Sequence, residues 1–440
     1  MELGSAPVGE GTGDVERERL YRRCLAVITL TGAAWRIIML ISKWNIPLHY
    51  GDAWYYSIQA ENNAHGRWFK EASGPVQDWG VLPGAEHPPL TSIVTAPASL
   101  LSQTQFWQRA TMTVLGIAVI VLVSLIARRV GGRAVGVIAG VIAAAYPNLW
   151  LSDSLVMSET LVVLMVVIVL GAALLHRERF GLRSALLLGV AVGIAGHARS
   201  EILLYSPLLA LIGVRTLPLA QWAKRAAVIV MATGLTVVPW IAYNTSRFDT
   251  VVLMSTNEGN TWLGANCPLT YAGPGIGGWN LLCLDNGTVP PVDENSAERS
   301  ARRRSEAMSY ARAHVSRLPV VAVARVLRAA DLYGLDETVR ADLGEERPAW
   351  AIWAGIMCWW ALAPMAAVGL WRMRRGVRYI IVVPAIGVAL VTVVFYGSHR
   401  LRAPVEPLVA LGAAVFVTSL APVRGWITRL VERMANPAAG

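Results

Sequence analysis

The 440 residues are 55% hydrophobic and only 15% charged, with a mean hydropathy of +0.47. A soluble domain has nowhere to bury that much apolar sequence, and roughly a quarter of its residues are charged, so an ordinary soluble protein is excluded. The net charge of +10 would raise nucleic-acid binding in a soluble chain, but the basic residues here sit in short clusters between apolar runs, and no nucleic-acid partner is expected.

A helical crossing of a bilayer asks for about 20 apolar residues. Runs approaching that length lie at 24–42, 107–127, 134–151, 154–175, 183–198, 200–214, 226–245, 350–371, 378–396 and 403–421. They predict an all-α polytopic membrane protein, a bundle of about ten transmembrane helices with outer loops. The run 89–102 is too short to span and contains Pro97, so it reads as a re-entrant or interfacial helix. Arg22 and Arg23 precede the first run and no small-residue cleavage site follows it, which makes that run a permanent anchor.

Orientation follows from the basic clusters. These are Arg17, Arg19, Arg22 and Arg23; Arg128, Arg129 and Arg133; Arg177, Arg179 and Arg183; Lys224 and Arg225; Arg372, Arg374, Arg375 and Arg378; and Arg424, Arg429 and Arg433. With ten spans all of them fall on one side, which places both termini in the cytoplasm of a plasma-membrane protein. The organisation is then a cytoplasmic tail at 1–23, a membrane core at 24–245 with a first outer loop at 43–106, a second outer loop at 246–349, C-terminal spans at 350–421 and a tail at 422–440. The first outer loop is acidic and aromatic, with Asp52, Trp54, Tyr55, Tyr56, Glu61, Trp68, Asp78, Trp79 and Glu86. In the second, segment 298–332 has an amphipathic pattern. Met308, Ala311, Val315 and Leu318 share one face, and a basic run covers Arg302, Arg303 and Arg304, as expected of a helix on the membrane surface. Cys267 and Cys283 lie in that loop without a neighbouring His, so an oxidising compartment makes a disulfide the expectation over zinc. Cys24 and Cys358 fall in spans as small hydrophobes.

Four features break the pattern of a passive bundle. Tyr50-Gly51-Asp52-Ala53-Trp54-Tyr55-Tyr56 places an acid among aromatics at the outer interface. Partial desolvation there raises a carboxylate toward a base's working range, and flat rings suit sugars; an aromatic belt around a solvated Asp is the plainer alternative. Glu86-His87-Pro88-Pro89-Leu90 opens the short helix, where paired prolines favour initiation. Asp153 and Glu159 lie at the outer start of the fourth span, Glu159 about one and a half turns in. Membrane carboxylates are costly and generally functional, although Asp153 also suits a helix cap. Finally His197, Arg199 and Glu201, and His399, Arg400 and Arg402, occupy short outer turns where Arg is disfavoured. Arg grips phosphate bidentately, so two such turns form a candidate phosphate clamp at the outer leaflet. Pairing of Arg199 with Glu201 and of Arg402 with Glu406 is the alternative, whereas Arg400 has no acid within three residues.

In these residues and their order the chain resembles the GT-C membrane glycosyltransferases of the protein O-mannosyltransferase and aminoarabinose-transferase type, family 39-like. Arg199-Ser200-Glu201 is similar to a turn of bacterial members. Gly259-Asn260-Thr261-Trp262-Leu263-Gly264-Ala265-Asn266-Cys267 and Tyr396-Gly397-Ser398-His399-Arg400-Leu401-Arg402-Ala403-Pro404 look like actinobacterial ones. The resemblance implies inverting transfer from a polyprenyl-phosphate sugar to an envelope glycan, lipid or protein acceptor on the outer face. It makes Asp52 the general base and Glu159 the second acid. It makes Tyr55, Tyr56, His87, Asp153, Arg199, Glu201, His399, Arg400 and Arg402 substrate-binding. Asp52 is followed by Ala53 where the family motif often has another acid, so Glu159 or Asp153 must supply it. No cofactor is certain; a divalent cation between Asp52 and Glu159 is an option, and the sugar, mannose or arabinofuranose among others, stays open. A transporter or flippase of a lipid-linked sugar is the alternative function, and a scaffold subunit a third.

Overall fold

Helices form where the apolar runs predict them, but several stop short, and the breaks are what shape the end that carries Asp52, Glu159 and Arg400. The computed structural model describes residues 9–49, 51–72, 80–248, 250–285 and 294–420. Tyr50, Asp78, Trp79 and the basic cluster Arg424, Arg429 and Arg433 lie outside them. The helices are α1 Gly9–Ile41, α2 Asp52–Ala64, α3 Leu90–Thr95, α4 Thr104–Gly131, α5 Arg133–Ala145, α6 Ser158–Arg179, α7 Leu182–Gly196, α8 Tyr205–Ala210 and α9 Leu219–Thr245. They continue with α10 Glu258–Ala265, α11 Pro268–Tyr271, α12 Ser296–Ala313, α13 Leu318–Ala329, α14 Leu335–Gly344, α15 Ala349–Arg372, α16 Arg375–Val394 and α17 Glu406–Ser419. Short 3₁₀ turns at Ala96–Leu100, Ser200–Leu204 and His399–Val405 extend α3, α8 and α17 at their neighbouring ends.

Among the described residues, seven helices are long and apolar enough to cross a bilayer: α1, α4, α6, α9, α15, α16 and α17 with its 3₁₀ turn. The expected spans 134–151, 183–198 and 200–214 are shorter helices, α5, α7 and α8 with its turn. The run at 89–102 folds as α3 and its 3₁₀ turn, too short to span. Residues 146–157 leave the α-helix, keeping only a 3₁₀ turn at Pro147–Leu149, although Trp150, Leu155, Val156 and Met157 are all buried. The fourth expected span therefore starts at Ser158, and Glu159 stands in its first turn rather than one and a half turns in. The amphipathic segment 298–332 is two helices, α12 and α13, broken at His314–Arg317.

α6 and α17 form the centre of the bundle, and their membrane windows are its most buried. Small residues bring the backbones together. A Cβ built on Gly369 of α15 would lie 1.9 Å from the Gly412 carbonyl oxygen of α17. Pro239, Pro364 and Pro384 sit inside α9, α15 and α16, as membrane helices tolerate where neighbours satisfy the freed carbonyls.

The bundle is polar end to end. At one end Arg128 reaches Glu18 of α1 at 2.7 Å, Arg129 donates to Glu178 of α6, and Arg225 donates to the Phe180 carbonyl. Arg177 packs on Gly376 at the start of α16. The basic clusters thus gather at a single end. The other end is closed by α2, α3 and α10–α14, docked by arginines that cap helix C-termini. Arg325 of α13 donates to the Val393 and Val394 carbonyls ending α16, at 2.8 and 2.9 Å, and to the Ala265 carbonyl ending α10 at 3.0 Å. Arg109 binds the Lys43 and Ile46 carbonyls beyond α1, both at 2.8 Å, and Glu346 at 2.7 Å. Cys267 and Cys283 are joined by a disulfide in this layer.

Candidate active site

Asp52 opens α2, Glu159 opens α6, Glu345 follows α14, and Arg400 stands in the 3₁₀ turn before α17. Four segments far apart in sequence thus bring three carboxylates onto one guanidinium. Arg400 Nη2 lies 2.9 Å from Asp52 Oδ2, and its Nε lies 2.8 Å from Glu159 Oε1. Its Nη1 bonds Glu345. Arg400 has no acid within three residues of sequence, yet it is paired, because its partners come from other elements and no local window contains them. Glu159 is 4% exposed, and among the described residues its second oxygen, Oε2, has no hydrogen-bond partner.

His87 Nε2 lies 3.4 Å from Asp52 Oδ1. The His87 ring packs against those of Tyr55 and Tyr56, with centroids 5.0 and 4.9 Å away. Both tyrosines are almost wholly buried, and the Glu86 backbone N–H donates to the Tyr55 hydroxyl at 3.1 Å. They hold the imidazole against Asp52 and do not present open faces to a sugar. Desolvation alone would raise the Asp52 carboxyl, but the hydrogen bond and charge of His87 and the Arg400 guanidinium outweigh it and hold it well below the usual carboxylate range. Desolvation works the other way on His87, and Asp52 outweighs it to raise the imidazole above its ordinary value. Burial raises Glu345, with help from the like charges of Glu159 and Asp52, against the pull of Arg400 and Arg347.

The remaining predicted residues divide. Arg199 pairs with Glu201 at 3.0 Å and donates to the Arg400 carbonyl at 3.2 Å, so that turn supports the Arg400 backbone. His399 is held between Asp342, at 2.8 Å, and Asp331, at 3.3 Å. Arg402 is pinned by Glu406 at 2.7 Å and Asp331 at 2.8 Å, and stacks over Trp359. It is 3% exposed, which corrects its reading as an open phosphate ligand. Asp153 is corrected too. It neither caps α6 nor reaches the cluster, but is buried against Arg36 of α1 at 2.7 Å and accepts from Thr160 at 2.8 Å. Gly116 leaves room for it, since a Cβ there would lie 2.0 Å from its Oδ2.

Glu345 and its neighbour Arg347 were not among the predicted residues. Arg347 bridges Asp342 at 2.5 Å and Glu345 at 2.8 Å. The signal for them was present: Glu345-Glu346-Arg347-Pro348 precedes a span much as Asp153 and Glu159 do.

The cluster opens into a cavity of about 390 Å³, lined by Asp52, Trp54, Tyr55, His87, Glu345 and Arg400 together with Asn257, Asn260 and Trp279 of the segment 246–349. A smaller void of about 40 Å³ reaches Glu159, Arg347 and His399 behind Arg400. The arrangement joins a half-buried carboxylate, a guanidinium and a ring-lined hollow at one face. For a divalent cation the fit is poor. The three carboxylates are already centred on Arg400, and no group of three or more His, Cys, Asp or Glu among the described residues is placed to hold a metal.

No protein-family model matches the chain, and no curated protein matches it by sequence. Solved structures do. ArnT from Cupriavidus metallidurans bound to undecaprenyl phosphate superposes with a TM-score of 0.56 at 15% identity, over 92% of this chain and 63% of that one. The archaeal oligosaccharyltransferase AglB from Archaeoglobus fulgidus, in complex with an inhibitory peptide and a dolichol-phosphate, gives 0.55 at 15% identity, over 96% and 52%. The Archaeoglobus fulgidus oligosaccharyltransferase in complex with Zn and sulfate gives 0.54 at 16% identity, over 94% and 51%. The chain therefore has the GT-C membrane fold, and it spans less than two thirds of the length of each of these proteins.

Proposed function

We propose that the chain is a membrane glycosyltransferase that moves a sugar from a polyprenyl-phosphate donor to a hydroxyl acceptor of the cell envelope, with inversion. The observation that carries this reading is the meeting of Asp52 and Arg400 at the mouth of the cavity. Asp52 takes the proton of the acceptor hydroxyl as its oxygen attacks the anomeric carbon. The bond from that carbon to the phosphate oxygen breaks, and its electron pair leaves with the lipid phosphate. One base and no covalent intermediate suffice for inversion.

A carboxylate held so far below its ordinary range is a weak base. Donor binding supplies the remedy. A lipid phosphate draws Arg400 toward itself, bidentate contact being what guanidinium offers a phosphate, and Asp52 regains part of its basicity as that partner leaves, His87 staying in contact. Glu345, already raised, accepts a proton most readily and limits repulsion between the carboxylates and the incoming anion. Glu159 Oε2, which lacks a donor, receives a substrate hydroxyl. The known likeness to proteins crystallised with undecaprenyl phosphate and a dolichol-phosphate supports the donor class. The basic end faces the cytoplasm of a plasma-membrane protein and the cavity faces outward, by the positive-inside rule; the donor sugar is a hexose or a pentose.

The deciding experiment incubates purified protein with radiolabelled polyprenyl-phosphate mannose or arabinose and membrane acceptor, following both polyprenyl phosphate release and label in acceptor. Wild type releases and transfers; Asp52→Asn does neither. Release by both proteins would move the base to Glu159, and no release with either sugar would refute the reading.

A further inference from the structure

At the end of the bundle opposite the carboxylates, a crevice of about 1160 Å³ opens between the turn after α8 and the facing ends of α15 and α16. Its lining includes Arg177, Arg215, Arg375 and Arg378 and no carboxylate. None of these four arginines makes a carboxylate ion pair among the described residues; Glu178, beside Arg177, is taken by Arg129. Arg378 instead donates to the Trp371 carbonyl at 2.9 Å and lies over its ring, and Arg177 packs on Gly376. Arg374 gives α16 no side-chain cap, so the positive end of that helix adds to the same field.

The rest of the crevice is apolar and open to the side. Trp371 is 76% exposed, Leu211 and Val214 each 44%. A soluble anion would use the arginines and leave the apolar floor bare, and a neutral chain would do the reverse. An aromatic at the mouth is the usual marker of headgroup depth, and a basic pocket between membrane helices is suited to anionic headgroups. We propose that this crevice binds an anionic phospholipid, with its phosphate on Arg177, Arg215, Arg375 and Arg378 and an acyl chain along the apolar floor. The site is independent of the transfer reaction. α16 runs the 20 residues from Arg375 to Val394 between the two places, about 30 Å of helix.

The test uses the full chain in detergent, mixed with equal amounts of phosphatidylglycerol and phosphatidylcholine and read by native mass spectrometry. Phosphatidylglycerol adducts dominate on wild type. Arg215 and Arg375 are exposed, so Arg215→Gln with Arg375→Gln preserves the fold. At about fivefold per arginine, the pair weakens phosphatidylglycerol retention roughly 25-fold and leaves phosphatidylcholine unchanged. Arg340→Gln, exposed at the other end, is the control and changes neither. Inorganic phosphate separates the sources: it leaves the melting temperature unmoved while phosphatidylglycerol raises it. Equal retention of both lipids, an unaffected double variant, or stabilisation by inorganic phosphate alone would each overturn the proposal.

Discussion

Arg400 is the residue on which the outer face turns, because its guanidinium holds the ends of α2, α6 and α14 together through Asp52, Glu159 and Glu345. Arg400→Lys keeps the charge but loses the planar fork. We expect lipid-phosphate turnover to fall at least about tenfold, mostly through KM for the donor, with the elution profile unchanged; an unchanged KM would detach Arg400 from the phosphate. Asp52→Asn removes the proposed base, and the expected loss is about 10²–10⁴-fold in kcat, measured beside a thermal-melt control. His87 makes a pH prediction. Its folded pKa is raised by Asp52, so its contribution to stability is full below the unfolded value of about 6.5 and disappears as pH rises through the folded value. Asp52 is depressed, and its contribution holds above the ordinary carboxylate range and fails only in strong acid. Melting curves between about pH 6 and 9 should therefore show wild type losing more stability on the alkaline side than His87→Gln, since the His399 pairs with Asp331 and Asp342 are common to both. These residues were legible singly. Asp52, His87, Glu159 and Arg400 each break a local rule for a membrane protein, and each joins the cluster. Their pairing was not legible, because an ion pair between residues 52 and 400 or 159 and 400 leaves no mark on either local sequence.

At the scale of elements, the long spans were readable because a bilayer demands length and apolarity together. The break at 146–157 was not, since Trp150, Leu151, Leu155, Val156 and Met157 continue the apolar run while the backbone turns. An irregular segment buried against other helices needs no polar residues of its own, and hydropathy cannot tell it from a helix. This break drops Asp153 inside the bundle and sets Glu159 at a helix start. Asp153 with Arg36 is thus a structural pair joining α1 to the segment before α6. Removing one partner leaves a buried charge, so Arg36→Met should destabilise by about 3–5 kcal/mol. Arg36→Met with Asp153→Asn should recover a large part of that in thermal unfolding. A double variant no better than the single would mean that the pair is not what holds the segment. The α15–α17 contact gives a second test. Gly369→Val must push its side chain into the Gly412 backbone, and overpacking of this kind costs about 1–3 kcal/mol, visible as a lowered melting temperature without any change in the site residues.

For the whole molecule, the separation of charge decides how it sits. Six basic clusters were expected on one side; the five within the described residues converge, with Glu18 joining α1 to α4 and α5, and Glu178 joining α4 to α6. The arginines at the carboxylate end are a different population. Arg109, Arg325 and Arg402 are spent on carbonyls at chain turns and helix ends and on buried acids, which keeps them from opposing the orientation set by the exposed clusters. Under the proposed orientation, that division reconciles cations at both ends of the bundle with a positive-inside rule, which counts charges in short loops. It makes a topological prediction. In a Cys24→Ala, Cys358→Ala background, Trp279→Cys lies beside the cavity and Arg375→Cys lies beside the basic crevice. A membrane-impermeant maleimide applied to intact cells should label the first without permeabilisation and the second only after it. The reverse pattern would put the carboxylate cluster in the cytoplasm, where nucleotide-sugars rather than lipid-phosphate sugars are the available donors, and the proposed donor class would fall with the orientation.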